Sequence, residues 1–245
     1  MNRFDNADDP RRRLLIEALS AGLISAGLPG GNALAQSVFG NRPAKLPPER
    51  SVYRITGTAS VNGTAATLQT SVRPGDTVQT GKDSEIIFVV GGHSMILRGE
   101  THLMIEGERK ESALLFISGL RLLTGKLLSV SRNSRMRVIT TTATIGIRGT
   151  GWYAESEPEQ TYFCTCYGTA DIAASNDPES SETVVSQHHD RPLYILGKSE
   201  SARGIRNAPF INHTDQELML IETLVGRTPP FVFPKDDYSG PRRDY

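Results

Sequence analysis

The chain has little of several features that would define its class at once. Only two cysteines occur in 245 residues, and the 27 Lys and Arg side chains are balanced by 27 Asp and Glu. Two cysteines exclude a framework of several disulfides, and a net charge of zero gives no support for general nucleic-acid or membrane-surface binding. No apolar run reaches the roughly 18 residues of a membrane-spanning helix.

Common enzyme motifs are also missing from the sequence. It contains no Gly-x-Ser-x-Gly nucleophile turn, no His-Glu-x-x-His zinc motif and no phosphate-binding loop. Its composition, with 38% hydrophobic and 22% charged residues, is that of an ordinary globular chain of one or two domains. These absences give no support for the corresponding enzyme classes.

Residues 1–35 have the pattern of an export signal. Arginines at positions 11–13 precede a mildly apolar stretch at 14–28. As a helix, this stretch would reach only about 22 Å, short of the roughly 30 Å hydrocarbon core. Small residues at 33 and 35 suit a signal-peptidase site. The segment resembles a twin-arginine signal, although Glu17 keeps ordinary secretory export and a soluble amphipathic helix open as alternatives.

From residue 52 onward, short apolar runs alternate with turn residues. Asn62-Gly63 is a strong hairpin signal. Glycines then separate short apolar runs such as residues 86–90 and 103–105, with turns roughly every eight to twelve residues. No long helical period lies between these runs. The pattern predicts an all-β fold, either a sandwich or a solenoid-like β roll.

The stretch "TTATIGIRGTGWY" begins as a strand and is interrupted by glycines at 149 and 151. We expect both glycines to adopt positive φ values and to turn the chain between two strands. The Thr150 hydroxyl is expected to bond to nearby backbone and to hold this corner. Arg148 is expected to donate to carbonyl groups at the corner, which is a structural role.

One helix is predicted near the C-terminus, in "HTDQELMLIETLVG". Thr214 and Glu217 have the spacing of a capping box, and Gly226 marks the helix end. Its apolar face consists of Leu218, Ile221, Leu224 and Val225. A helix of about 11 residues is too short to be stable alone, so we expect it to pack on the β body.

Three stretches within residues 72–173 resemble parts of a FecR domain. They are "PGDTVQTGKDSEIIFVVGGHSMILRGETHLMI", "TGKLLSVSRNSRMRVITTTATIGIRGTGWYAE" and "TYFCTCYGTADI". The Arg-Gly-Thr centre is the most specific element, although Gly151-Trp152 departs slightly from the usual pattern. The resemblance implies the periplasmic module of such regulators only, and we expect no counterpart of the cytosolic domain that controls a sigma factor. It implies an exported, non-enzymatic binding or scaffold protein, without a role in sigma-factor control or iron uptake. The alternative is a metal-binding or redox protein that uses Cys164, Cys166 and nearby histidines.

Both cysteines occur in "FCTCYG", at 164 and 166. On a strand they point to the same face, about 6.6 Å apart, so a disulfide between them would be strained. Burial as small hydrophobic side chains, metal binding and a redox pair all remain open. If a metal binds, Cys164, Cys166, His188 and His189 are the candidate ligands, with His213 as a further possible source of a ring nitrogen, and the ion would be zinc or copper. A neighbouring aspartate could orient an imidazole.

The predicted organisation has five parts. These are an export signal at 1–35, a linker at 36–51, a FecR-like β domain at 52–175, a β extension with the helix at 176–234, and a disordered tail at 235–245. The predicted location is periplasmic or secreted. The expected partner is an envelope protein or a glycan, with no nucleic acid and no transmembrane segment, and the sequence does not identify it.

The export hypothesis is tested by sequencing the N-terminus of the mature protein. We expect a mature form that starts near Gln36, and we expect Arg→Lys changes at positions 11–13 to block its appearance, because the twin-arginine route reads the guanidinium pair. A mature protein that retains Met1 outside the cytoplasm would contradict the assignment.

Overall fold

The computed structural model describes residues 44–109, 115–197 and 204–231. The predicted export signal and the predicted tail lie outside the described residues. The strands are β1 (Val52–Thr56), β2 (Ala59–Val61), β3 (Thr64–Ala65), β4 (Thr77–Thr80), β5 (Glu85–Val90), β6 (His93–Leu97), β7 (His102–Arg109), β8 (Leu115–Ile139), β9 (Ala143–Ser156), β10 (Gln160–Ala174), β11 (Asp177–Ser186), β12 (Leu193–Leu196) and β13 (Ile205–Asn207). The helix α1 (Asp215–Leu224) follows them.

The strands form one open, branched antiparallel sheet. The long strands β8, β9 and β10 lie side by side at its centre. β8 pairs first with β7 and then with β6, whereas β10 pairs first with β12 and then with β11. The predicted all-β fold with a short C-terminal helix is confirmed. In the described part of the chain, no helix is long and apolar enough to cross a membrane.

The central strands are buried on both faces. Neighbouring residues along each strand belong to different apolar clusters. Trp152 and Phe163 lie in the larger cluster, whereas Tyr153 and Cys164, the next residues along β9 and β10, lie in a second one. Side chains alternate between the two faces of a strand, so both faces of β9 and β10 are covered. This double burial explains the near-continuous apolar runs of these strands.

The second cluster is covered by α1, as the sequence predicts. The Thr214 side chain accepts from the Glu217 backbone N–H, and the Glu217 carboxylate accepts from the Thr214 N–H, so the capping box is present. Gly226 follows the helix with a φ of 73°. Leu46 donates its backbone N–H to the Leu224 carbonyl over 2.9 Å.

The glycine motif has two different structural explanations. Gly149 has a φ of 62°, so its predicted positive φ is confirmed. Gly151 is not among the described residues with positive φ. A Cβ at Gly151 would instead lie 2.4 Å from Cε1 of Tyr167, so this glycine makes room for an aromatic ring. β9 continues through the motif, so the predicted interruption of the strand is wrong.

The polar residues of the motif also differ from the prediction. Within the described part of the chain, the buried Thr150 hydroxyl has no hydrogen-bond partner, so it does not hold a corner. The exposed Arg148 guanidinium donates to the Asp171 carboxylate on β10 rather than to backbone carbonyls. Its role is structural, as expected, but it acts through a cross-strand ion pair.

The two explanations predict different responses to substitution. Gly→Val at 149 or 151 should each lower the free energy of unfolding by more than about 1 kcal/mol. In a Tyr167→Ala background, however, Gly151→Ala should have almost no further cost, because the ring it would meet is gone, whereas Gly149→Ala should keep its cost. Denaturant unfolding measures both effects. Equal costs in the two backgrounds at position 151 would contradict this explanation.

Candidate metal centre

Cys164 and Cys166 lie on the face of β10 that α1 covers, and both are fully buried. The pairing of β10 with β9 is irregular between Thr165 and Tyr167, which indicates a β-bulge. Because of this irregularity, Tyr167 joins the two cysteines in the same apolar cluster. The predicted common face of the cysteines is therefore present.

His189 reaches the cysteines from the turn between β11 and β12. Asp190 shapes this turn, since its carboxylate accepts the backbone N–H groups of Gln187 and His188 at 2.6 and 3.3 Å. His189 itself has a φ of 55°, and its N–H donates to the Cys166 carbonyl over 2.9 Å. The turn is thus attached directly to the bulged part of β10.

His213 approaches from the residues that precede α1. Its ring is fully buried and stacks on Tyr153, with 4.5 Å between the ring centroids. Its Nδ1–H donates to the Ile211 carbonyl over 2.7 Å. A carbonyl only accepts, so this bond places the proton on Nδ1 and leaves the Nε2 lone pair directed into the site.

Four donor atoms converge at this point. The Cys164 sulfur lies 3.4 Å from His189 Nδ1, and His213 Nε2 lies 3.2 Å from the same nitrogen. With Cys166 included, one ligand atom from each of the four residues lies within 4.8 Å of every other. Ligand atoms around a tetrahedral zinc ion are about 3.5 Å apart, given Zn–S and Zn–N bonds of about 2.3 and 2.0–2.1 Å.

Asp215 orients His188 and His189 by accepting hydrogen bonds from their rings. Its two carboxylate oxygens accept from His189 Nε2 at 3.0 Å and from His188 Nε2 at 2.9 Å. Burial disfavours ionisation of Asp215, but the hydrogen bonds from the two histidines outweigh it and lower the pKa of this carboxyl. A carboxylate behind a histidine is the usual outer partner of a metal-bound imidazole.

The inner set differs by one residue from the set proposed from sequence. Cys164, Cys166 and His189 come together as proposed, and His213 completes the group. His188 belongs to a second group with His189 and Asp215, and its side chain is 40% exposed. The structure therefore places His188 beside the centre, at the surface, rather than among the inner donors.

The inner donors require a cation among them. If both histidines are neutral, the bonds to Asp215 and Ile211 leave two nitrogen lone pairs facing each other across 3.2 Å. A proton on His189 relieves this repulsion. Burial opposes the charge, but hydrogen bonds to Asp215 and Cys164 raise the pKa of His189 to about 9.

The two thiols differ in acidity. Burial disfavours a Cys164 thiolate, but hydrogen bonds from Cys166 and His189 outweigh it and lower its pKa well below the ordinary value. Burial and the neighbouring Cys164 raise the pKa of Cys166. Burial also lowers the pKa of His213. Without a metal, the site thus holds one thiolate beside one imidazolium.

Aromatic side chains surround the polar groups. The ring centroid of Phe210 is 4.2 Å from that of His189 and 4.6 Å from that of His213. Phe231 lies 4.5 Å from His188 on the outer side. This shell keeps water away from the donors and strengthens every electrostatic interaction among them.

The sequence predicts three of the four inner residues correctly, but it does not distinguish His213 from His188 as the fourth. One local signal favours His213: it directly precedes Thr214, whose capping box fixes where α1 begins. The role of Asp215 was not predicted, because His188 and His189 reach its carboxylate only through the packing of their turn against α1.

Comparison with known proteins gives little further information. No family model matches the chain, and no curated protein matches it. Two crystal structures of candidate anti-sigma factors from Parabacteroides distasonis ATCC 8503 are similar, at 13% and 12% identity and a TM-score of 0.42 each. They cover 54% and 60% of this chain, which spans 58% and 73% of theirs. A likeness at this level carries no argument about function.

The different acidities of the thiols can be measured in metal-stripped protein. Near pH 7 we expect the ultraviolet absorbance of about one thiolate per chain. Cys164→Ser should remove this absorbance, whereas Cys166→Ser should retain most of it, because a serine hydroxyl still donates to the Cys164 sulfur. Equal losses in the two variants would show that the charge is shared rather than held by Cys164.

Proposed function

We propose that this protein is a non-enzymatic binding module that holds one transition-metal ion between Cys164, Cys166, His189 and His213. The observation that carries the proposal is the convergence of these four buried donors within 4.8 Å of one another. Two thiols and two imidazoles are the ligands that zinc and copper prefer in proteins.

A metal ion suits the site better than the proton it would replace. One proton on His189 relieves the repulsion between two nitrogens, but it leaves Cys166 as a buried thiol that contacts only Cys164, through its sulfur and, at 3.9 Å, through its carbonyl. A divalent ion uses all four donors at once. Its binding releases the His189 and Cys166 protons, so metal affinity should increase with pH.

The burial of the donors favours a structural ion over a catalytic one. Cys164, Cys166 and His213 are fully buried, and the His189 side chain is 6% exposed. Catalytic zinc sites keep one position open for water or substrate, whereas structural sites are closed by four protein ligands. This difference supports the non-enzymatic part of the proposal.

The wider role we propose is binding or scaffolding of a partner, either a protein or a glycan, in the cell envelope. It is supported by the FecR-like stretches within residues 72–173 and by the export-like pattern of residues 1–35. The positive φ of Gly149 agrees with a glycine at the centre of the Arg-Gly-Thr element. The sequencing of the mature N-terminus tests the location on which this role depends.

Metal analysis of the purified protein tests the proposal directly. We expect about one transition-metal ion per chain. Cys164→Ser, Cys166→Ser and His213→Ala should reduce the content to near zero, because each removes an inner donor. His188→Ala should retain the ion, since His188 lies outside the inner group. Asp215→Asn should weaken binding by about 10–100-fold by removing the charge behind two histidines.

His102→Ala provides the matched control. His102 lies on β7, and its ring contacts Gln79. It belongs to neither of the two groups of candidate metal ligands. Its loss should leave the metal content unchanged. A wild-type protein with two free thiols and no bound metal, whose stability is unaffected by Cys→Ser at both positions, would reduce the cysteines to core packing.

A further inference from the structure

The four inner donors come from three separate segments. Cys164 and Cys166 lie on β10, His189 lies in the turn after β11, and His213 lies between β13 and α1. An ion held by all of them would join the centre of the sheet to the start of the C-terminal helix. Because the four donors meet only in the folded arrangement, the free energy of metal binding stabilises the contact among the three segments.

The segment at 208–224 contacts the sheet through both apolar and polar side chains. Leu218, Ile221 and Leu224 are its buried apolar side chains in the described cluster. Arg98, which directly follows β6, donates to both carboxylate oxygens of Glu217 at 3.0 and 3.1 Å. A helix of ten residues is not stable without its partner surface.

Charge balance distinguishes between the candidate ions. Two thiolates and two neutral imidazoles carry a charge of −2, which a divalent ion cancels. A monovalent copper ion would leave a net negative charge among Tyr153, Phe210 and the other apolar residues of the shell. Tetrahedral sites with two sulfurs and two nitrogens are typical of zinc, whereas divalent copper favours planar or tetragonal arrangements.

We infer that the ion is zinc and that it acts as a structural cross-link, which docks residues 208–224 on the sheet. The inference rests on the proposed metal site and adds the identity of the ion and its effect. Zinc supplies the positive charge that the converging donors require, at the point where three segments meet. When zinc is removed, α1 should lose its firm attachment while the sheet stays folded.

Hydrogen–deuterium exchange of the full chain tests this role. Zinc-loaded and chelator-stripped protein are compared over residues 208–224, with β4 and β7 as the internal reference because their buried apolar side chains lie in the other cluster. We expect exchange in the helical segment to be faster by at least about tenfold after zinc removal, with no change in β4 and β7. The same measurement after loading with copper should show weaker protection than with zinc.

His213→Cys separates ligation from packing. Cysteine retains a zinc ligand at this position but loses the ring that stacks on Tyr153. If the ion docks the helix, His213→Cys should bind zinc and keep most of the protection, whereas His213→Ala should lose both. If stacking docks the helix, the two variants should exchange alike.

The outcomes separate this inference from the proposed function. Protein that binds zinc but shows equal exchange in both states would overturn the cross-link and leave the metal site intact. Faster exchange throughout β4 and β7 would also overturn it, because the ion would then support the whole sheet. Preferential retention of copper would overturn the identity of the ion. Protein without any bound metal would refute the proposed function itself.

Discussion

The repulsion between the inward-facing nitrogens of His189 and His213 is the constraint on which this part of the protein depends. His189 Nε2 donates to Asp215, and His213 Nδ1 donates to the Ile211 carbonyl. In the neutral rings, His189 Nδ1 and His213 Nε2 therefore face each other without hydrogens. Aromatic rings exclude the water that would otherwise relieve this arrangement. A proton or a metal ion at the centre would relieve the repulsion, and the choice between the two decides the state of both thiols.

Backbone features create this convergence. The β-bulge near Thr165 places Tyr167 on the same side as the cysteines. Gly151 on the neighbouring strand leaves space for the Tyr167 ring, whose hydroxyl donates to Glu222 of α1. The glycine that interrupts the apolar pattern of β9 is thus part of the contact between sheet and helix.

The sequence predicted local features well and the arrangement in space only in part. The capping box depends on residues three positions apart, so Thr214 and Glu217 were sufficient to predict where α1 begins. The positive φ of Gly149 was also predictable, because it depends on the local sequence alone. In contrast, the role of Gly151 depends on a ring from another strand, and the choice of His213 over His188 depends on how a turn meets a helix. Neither contact leaves a pattern along the chain.

Acidic residues give α1 a defined position, which apolar contacts alone would not provide, because the hydrophobic effect has no direction. Asp215 accepts from two histidines, Glu217 is paired with Arg98, and the fully buried Glu222 accepts from Tyr167 and Arg227. Asp215 and Glu222 are buried, so weakening their contacts is more costly than losing an exposed ion pair. A shift of the helix by one turn would break all three sets of contacts together. The donors at 189 and 213 are therefore held in register with the cysteines by charges that the helix itself carries.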